Sequence, residues 1–143
     1  MEEEDCKDKG LAIIVMKENK ILMGLRKGGR GSGCWGFPGG RQGLGECAVD
    51  GARRELDEEV YVKVSFTDEE PCETTDDYFE REKKHYRTMY FRALYIDGVP
   101  EELDPKEPDK CWKWNWFEWN NLPYPLFLPV VNLLRKGYNP FKR

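Results

Sequence analysis

The sequence has no long apolar run, no C-x-x-C pair and a single histidine. No apolar stretch approaches the roughly 20 residues that cross a bilayer, so we expect no membrane partner. The N-terminus, MEEEDCKDKG, is acidic and lacks the basic and then apolar layout of a signal peptide. We therefore predict that residues 1–10 form a flexible tail.

Cysteines are few and irregularly spaced. The five of them are Cys6, Cys34, Cys47, Cys72 and Cys111. An odd number without metal-ligand spacing argues against a disulfide framework and against a zinc site. The distribution favours reduced thiols and a cytoplasmic location.

Length and charge limit the remaining classes. A chain of 143 residues is the size of one domain, which we place at residues 11–143. The net charge of −4 argues against a nucleic-acid polymer as partner. The basic loop RKGGRGSG at residues 26–33 is rich in glycine, but no Gly-Lys-Ser/Thr follows, so it is not a P-loop.

The most informative stretch is GGRQGLGECAVDGARRELDEEVYV at residues 39–62. It reads as a glycine turn followed by an acidic helix. Glu55, Glu58 and Glu59 stand at i, i+3 and i+4, so their carboxylates share one helix face. Because these like charges repel one another and hard cations take oxygen ligands, the face predicts a Mg²⁺ site.

The opposite side of this helix is apolar. A buried stripe at helical spacing is predicted at Ala48, Val49, Ala52, Leu56 and Val60. The helix therefore places its back in the core and its acidic face towards a metal and an anion.

The spacing of this segment resembles a known signature. From Gly40 the order is five residues, Glu46, seven residues, and then Arg54 to Glu59 as RELDEE. This resembles the box of the Nudix hydrolases, which cleave diphosphates linked to another moiety. One position departs, since Tyr61 stands where a glycine is expected. We interpret this as a changed helix exit and not as a lost active site, because the position carries no charge in the box.

The resemblance implies a fold, a cofactor and roles for residues. The fold is an α/β/α sandwich around a mixed sheet, of the α+β type. Mg²⁺, with Mn²⁺ as a substitute, is held by Glu58 and Glu59 first, by Glu55 next, and by the backbone carbonyl of Gly39 or Gly40. Glu46 pairs with Arg54 and supports the turn against the helix. A box glutamate or a carboxylate from a later loop acts as the base.

Periodicity predicts the other elements. We expect a hairpin of strands 11–16 and 21–25, further strands at 60–66, 85–96 and 112–119, and a helix from about residue 128 to a cap at Gly137. Residues 67–84 are polar and are expected to be largely a mobile surface segment with a strand near Tyr78. Their acidic side chains are most simply a solvated face, and the alternative is that one carboxylate reaches the metals. The single histidine, His85, is interpreted as structural.

Several residues are candidates for holding the substrate. Arg26 is preferred over the other cations of its loop because it ends a strand, although solvated cations in a flexible loop are equally compatible. Thr88 lies on the same strand face as Tyr86 and Tyr90. Alternation in WKWNWFEW puts Trp112, Trp114 and Trp116 on one strand face, either in the core or stacked on a base. We assign Trp114, together with Leu126 and Phe127 of the PLF segment, to the substrate pocket.

The C-terminal third is similar to a subgroup of cytosolic Nudix hydrolases from plants and their animal nucleotide-triphosphatase relative. EPDKC, W-x-W-x-x-W-x-x-LP and GYNPF carry this similarity, which implies a homodimer. Trp112 replaces an acidic residue of that pattern, and the paired aspartates that read an oxidised purine are missing. We predict Mg²⁺-dependent hydrolysis of a canonical or modified (d)NTP to monophosphate and pyrophosphate. The alternatives are a diphosphatase for a non-nucleotide such as a prenyl diphosphate, and a module that binds a nucleotide without cleaving it.

Overall fold

The computed structural model of the chain describes residues 8–142. The strands are β1 (Asp8–Lys17), β2 (Lys20–Arg26), β3 (Trp35–Gly36), β4 (Gly39–Arg41), β5 (Lys63–Phe66), β6 (Glu73–Phe79), β7 (Lys84–Asp97) and β8 (Cys111–Glu118). The helices are α1 (Ala48–Glu59), α2 (Leu128–Arg135) and a 3-10 turn at Pro100–Glu102. Residues 8–10 belong to β1, which corrects the predicted tail; residues 1–7 lie outside the described part.

All eight strands join one mixed sheet. The long strands β1 and β7 run parallel at its centre, with Ala12 opposite Tyr90, and the other pairs are antiparallel. The predicted hairpin of β1 and β2 is confirmed, since Lys17 pairs with Lys20 around a two-residue turn. Glu18 enters that turn with φ 55°, the left-handed conformation that such tight turns require.

Each face of the sheet carries its own core. One core contains Leu11, Ile13 and Val15 of β1 with Val49, Ala52, Leu56 and Val60 of the α1 region. The other contains Ala12, Ile14 and Met16 of β1 with Val130 and Leu133 of α2. A strand covered on both faces reads as a continuous apolar run, which explains LAIIVM. The predicted sandwich and the buried stripe of α1 are confirmed, with Ala48 only partly buried.

The predicted strand near Tyr78 is confirmed, but the inward face of this strand is buried and is not a mobile surface. Residues 73–79 form β6, which pairs with β7 so that Tyr78 lies opposite His85. Thr75, Asp77 and Phe79 point inward and are buried. Polarity misled the prediction because these polar side chains hydrogen-bond to each other, and burial costs little when partners are present.

The predicted alternation along β8 is wrong at its start. Arg26 pairs with Cys111 and Leu25 pairs with Lys113, so an extra residue bulges at Trp112. The side chain of Trp112 is consequently 48% exposed, whereas that of Trp114 is 6% exposed. A bulge moves the preceding side chains to the opposite face of the sheet, and the alternation of residue types alone does not reveal a bulge.

The two helices end in different backbone conformations. α2 begins at Leu128 as predicted, and Gly137 follows its end with φ 76°, so the glycine cap is confirmed. α1 ends with Val60 in an extended conformation, which needs no glycine and accommodates Tyr61. The Lys106 ammonium donates to the Asp57 carbonyl at 2.6 Å and lies over the Tyr61 ring.

No helix within residues 8–142 has the length and apolar character to span a membrane.

Candidate active site

A cavity of about 650 Å³ opens between α1, the start of β1 and the loop after β2. Eight of the predicted site residues line it: Arg26, Gly39, Gly40, Glu55, Glu59, Thr88, Trp114 and Phe127. Four predicted residues do not line it: Glu46, Arg54, Glu58 and Leu126. Leu126 instead packs against the core that contains α2 and forms a parallel β-bridge with Trp35.

The two box glycines lie in a strand and not in the sharp turn that we predicted. β4 pairs with β1, so that Gly39 lies opposite Ala12 and Gly40 opposite Leu11. A Cβ atom at Gly40 would collide with the carboxylate of Glu55, and one at Gly39 would collide with the Leu11 carbonyl. The absence of side chains therefore lets α1 approach β4 closely enough for its carboxylates to meet the backbone.

Glu59 carries the most perturbed carboxylate of the cavity. Its Oε1 accepts a hydrogen bond from the Gly39 N–H at 3.1 Å. Burial raises the pKa of Glu59 to about 8, and the negative charges of Glu55 and Glu107 add to this rise against the opposing effects of Gly39 and Arg26. The charge of Arg26 therefore compensates this carboxylate only in part, and groups with such perturbed pKa values concentrate at functional sites.

Arg54 organises the base of the box from outside the cavity. Its Nε and Nη2 donate to the two Glu46 oxygens at 2.7 and 2.9 Å, in the paired arrangement that the resemblance implied. Its Nη1 donates to Glu55 at 2.9 Å and to Glu58 at 3.3 Å. Hydrogen bonds from Arg54 and the Gly43 N–H lower the pKa of Glu46 to about 2. The pair raises the pKa of Arg54 as well.

The cavity carboxylates fit a divalent cation. Within residues 8–142, no three Asp, Glu, His or Cys side chains are grouped as a complete metal site. The predicted order of metal ligands, with Glu58 and Glu59 before Glu55, does not match the geometry. The Glu58 side chain is 49% exposed and is bound by Arg54, whereas Glu55 lines the cavity together with Glu59. Glu55 and Glu59 nevertheless present oxygen ligands whose mutual repulsion a hard cation would relieve.

The opposite wall of the cavity combines cations with aromatic rings. The Arg26 guanidinium lies 3.8 Å from the centre of the Phe127 ring, and the Arg30 guanidinium lies 4.2 Å from that of Tyr86. Burial lowers the pKa of Arg26, and the neighbouring charge of Arg30 lowers it further. Two adjacent cations on aromatic faces form a site for an anion that also carries a flat or apolar group.

Phe127 and Trp114 owe their positions to glycines. The Phe127 ring packs over Gly31 and Gly36, where a Cβ atom would overlap it. The Trp114 ring covers Gly24, with Cζ3 only 2.6 Å from where a Cβ atom would stand. The glycines of the basic loop and of β2 are therefore part of the cavity wall.

Sequence reasoning missed three contributors. Phe79 lines the cavity from β6, and Asp77 is fully buried behind the wall, both within the segment expected to be mobile. Glu107 lines the cavity from the loop before β8, whereas no carboxylate of residues 67–84 lines it. The EPDKC motif contained that glutamate, but its spacing gave no indication of proximity to α1.

Comparison with known proteins defines the class. The NUDIX domain model matches residues 7–136, so the chain belongs to the Nudix hydrolase family, whose members generally use a divalent metal. The oxidized purine nucleoside triphosphate hydrolase of Mus musculus is 28% identical over 112 residues, which are 78% of this chain and 67% of that protein. The protein of the same name from Danio rerio is 30% identical with the same coverage.

The fold agrees with this membership. The crystal structure of a MutT NUDIX hydrolase from Burkholderia pseudomallei superimposes with a TM-score of 0.74 at 24% identity. The match covers 90% of this chain and 96% of that one. The protein is thus a MutT-like Nudix hydrolase with a mixed sheet between two helices.

Proposed function

We propose that this protein hydrolyses a canonical or modified nucleoside triphosphate to a monophosphate and pyrophosphate, with Mg²⁺ or Mn²⁺ as cofactor. The observation that carries the proposal is that one cavity contains both carboxylates and cations. Glu55 and Glu59 line it, and so do Arg26 and Arg30, whose guanidinium groups lie on aromatic rings. The relatives from mouse and zebrafish support a purine triphosphate as substrate.

The floor of the cavity favours a base over a lipid chain. Thr88 lines the cavity, and its hydroxyl hydrogen-bonds to the buried carboxylate of Asp77. An apolar group placed against this polar pair would gain no hydrogen bond from it, whereas the edge of a base can form one. The aromatic rings alone do not decide, because they accept an isoprenoid chain as well as a base.

In the proposed reaction, each residue of the chain has a separate task. When bound, Mg²⁺ would supply charge neutralisation for the phosphates and activation of water. Arg54 holds Glu55, and the Gly39 N–H holds Glu59, so both carboxylates keep their orientation towards the diphosphate. A cavity carboxylate takes the proton of the attacking water, and the candidates are the four that line the cavity: Glu55, Glu59, Glu107 and Asp109.

Arg26 and Arg30 bind the negative charge that lies beyond the carboxylates. Both are held by other parts of the wall, because the Arg26 Nε donates to the Arg30 carbonyl and each guanidinium rests on an aromatic ring. Fixed donors of this kind stabilise charge on a phosphoryl group without reorganisation during the reaction.

The test is a substrate panel with identified products. Canonical and modified (d)NTPs, prenyl diphosphates and other non-nucleotide diphosphates are incubated with the protein in Mg²⁺ and in EDTA. Release of pyrophosphate and monophosphate from a nucleotide, abolished by EDTA and reduced by Glu58→Gln, supports the proposal. Faster turnover of a prenyl diphosphate would replace it, and nucleotide binding without turnover of any compound would indicate a sensor.

We also propose a cytoplasmic homodimer, following the cytosolic members that the C-terminal third resembles. Light scattering coupled to size exclusion measures the mass of the particle in solution, and a mass near 16.8 kDa would contradict the dimer. Cell fractionation tests the location.

A further inference from the structure

Asp77 is a fully buried carboxylate directly behind the cavity wall. It is 0% exposed and is held by three side chains from β6, β7 and α2. Thr88 Oγ1 lies 2.5 Å from Oδ2, Thr75 Oγ1 lies 3.2 Å from the same oxygen, and Asn132 Nδ2 lies 2.8 Å from Oδ1. Catalysis as proposed above uses none of these contacts of Asp77.

The direction of these hydrogen bonds follows from the donors. Asn132 Nδ2 also lies 3.4 Å from the Asp76 carbonyl, so two acceptors face this nitrogen and identify it as the amide NH₂. The Asp77 Oδ2 atom accepts from Thr88 Oγ1, and O–H to carboxylate bonds are the short ones, with oxygens about 2.5–2.7 Å apart. The Thr88 hydroxyl therefore gives its proton to Asp77.

This direction determines what Thr88 presents to the cavity. A hydroxyl whose proton is committed has only lone pairs left, so Thr88 Oγ1 is a hydrogen-bond acceptor towards a ligand. Gly10 lies opposite Thr88 in the parallel pair of β1 and β7, and a Cβ atom there would stand 3.2 Å from Thr88 Oγ1. Both residues line the cavity, and Gly10 has no side chain to stand between the hydroxyl and a ligand.

We propose that Asp77 is a positioning residue for specificity. By holding the Thr88 hydroxyl as an acceptor, it selects a base that presents an N–H group at this point and rejects a base that presents an unprotonated ring nitrogen or a carbonyl oxygen. The inference rests on the proposed function, because it assigns a base to this part of the cavity. The inference adds which kind of hydrogen-bonding group, a donor, the edge of the base presents to Thr88.

Asp77→Asn reverses this polarity without changing the shape. Asn132 donates at the Oδ1 position, so the new amide places its oxygen there and its NH₂ towards Thr88. The Thr88 hydroxyl then accepts from residue 77 and turns its own proton to the cavity. The site that accepted an N–H becomes a site that donates to a nitrogen or a carbonyl.

The experiment measures selectivity within pairs of purines that exchange donors and acceptors at one edge. ITP and ATP differ in this way at positions 1 and 6, and 8-oxo-dGTP and dGTP differ in this way at position 7, where an N–H replaces an acceptor nitrogen. Both kcat/KM of the triphosphates and calorimetric Kd of the corresponding monophosphates are determined. In at least one pair, Asp77→Asn should shift the ratio by about tenfold or more towards the purine that presents an unprotonated nitrogen or a carbonyl oxygen to Thr88.

A double-mutant cycle separates positioning from a general structural effect. If Asp77 acts through the Thr88 hydroxyl, Thr88→Val removes the preference, and Asp77→Asn then changes nothing further in the Thr88→Val background. Asp76→Asn is the matched control, since it makes the same chemical change on the outward face of the same strand and should leave every ratio unchanged. Thermal unfolding verifies that each variant is folded. If Thr88→Val does not fold, Thr88→Ser replaces it in the test, and this variant should show the wild-type preference because it keeps the hydroxyl.

Ratios that change less than twofold in all pairs would overturn the inference, because they would mean that Asp77 does not set the polarity of the Thr88 hydroxyl. A shift by Asp77→Asn that persists with Thr88→Val would overturn it too, as would failure of the wild-type protein to bind any of these purines. The monophosphate ratios do not depend on turnover. Altered ratios without hydrolysis would therefore refute only the proposed function, and hydrolysis with unaltered ratios would refute only the inference.

Discussion

Two carboxylates differ in their surroundings: Glu59 on α1 is partly buried, and Asp77 on β6 is fully buried. Glu59 accepts one backbone hydrogen bond and has a pKa of about 8, whereas Asp77 is surrounded by hydroxyl and amide groups of three side chains. An isolated buried charge is costly, and a hydrogen-bonded one is tolerated. The difference indicates that Asp77 is complete within the fold, while Glu59 is completed by something that enters the cavity.

The largest expected effect comes from removing the charge of Glu59. Because Glu59 lines the cavity beside Glu55, Glu59→Gln should reduce kcat/KM on the order of 10²- to 10⁴-fold, as loss of a cation-binding or proton-accepting carboxylate does. Asp57→Asn, an exposed change on the same helix, is the control and should retain activity. Metal-dependent hydrolysis that survives Glu59→Gln at the wild-type rate would refute the role of this carboxylate.

The second effect concerns stability. Asp77→Ala leaves the Thr88 hydroxyl and the Asn132 amide without their buried acceptor, at a cost of roughly 1–3 kcal/mol for each unsatisfied group. Asp76→Ala on the outward face should lower the free energy of unfolding by about 1 kcal/mol or less, since its ion pairs are exposed. Urea unfolding of both variants measures the difference. Equal losses would show that the network around Asp77 contributes nothing beyond surface pairing.

A third prediction uses pH in the absence of metal. The folded pKa of Glu59, about 8, exceeds the ordinary value of 4.5, so the native state binds more protons than the unfolded state between these limits. In EDTA the wild-type protein should therefore lose stability as the pH rises from about 4.5 to 8. Thermal unfolding of Glu59→Gln should show a shallower decline over the same range. Parallel profiles would mean that Glu59 ionises in the fold as it does in the unfolded chain.

The smallest effect is expected at the solvent-facing carboxylate of Glu46. Its pKa of about 2 lies below the ordinary 4.5 because Arg54 and the Gly43 N–H bind the ionised form. Stability from this pair is present above pH 4.5 and is lost as the pH falls towards 2. Glu46→Gln should thus flatten the acid side of the stability curve. An acid transition identical to that of the wild type would contradict this account.

The contrast also marks where prediction from sequence succeeded. Glu59 belongs to a helix whose spacing placed three carboxylates on one face, and it does reach the cavity. Asp77 lies in a polar stretch that gave no periodic signal, and it is buried only because β7 and α2 provide its donors. Glu58 shows the limit within the helix itself, since the spacing does not reveal that Arg54 binds it outside the cavity.

By itself, the sequence determined the box helix with its buried stripe and the central hairpin, because these depend on periodicity within short segments, and its resemblance to the Nudix box implied the family and the sandwich. Tertiary structure alone decided that β6 is a buried strand, that Trp112 bulges out while Trp114 faces the core, and that Glu107 stands beside Glu59. Such features depend on register and on partners distant along the chain. A local pattern carries no information about them, since a shift of one residue exchanges the two faces of a strand.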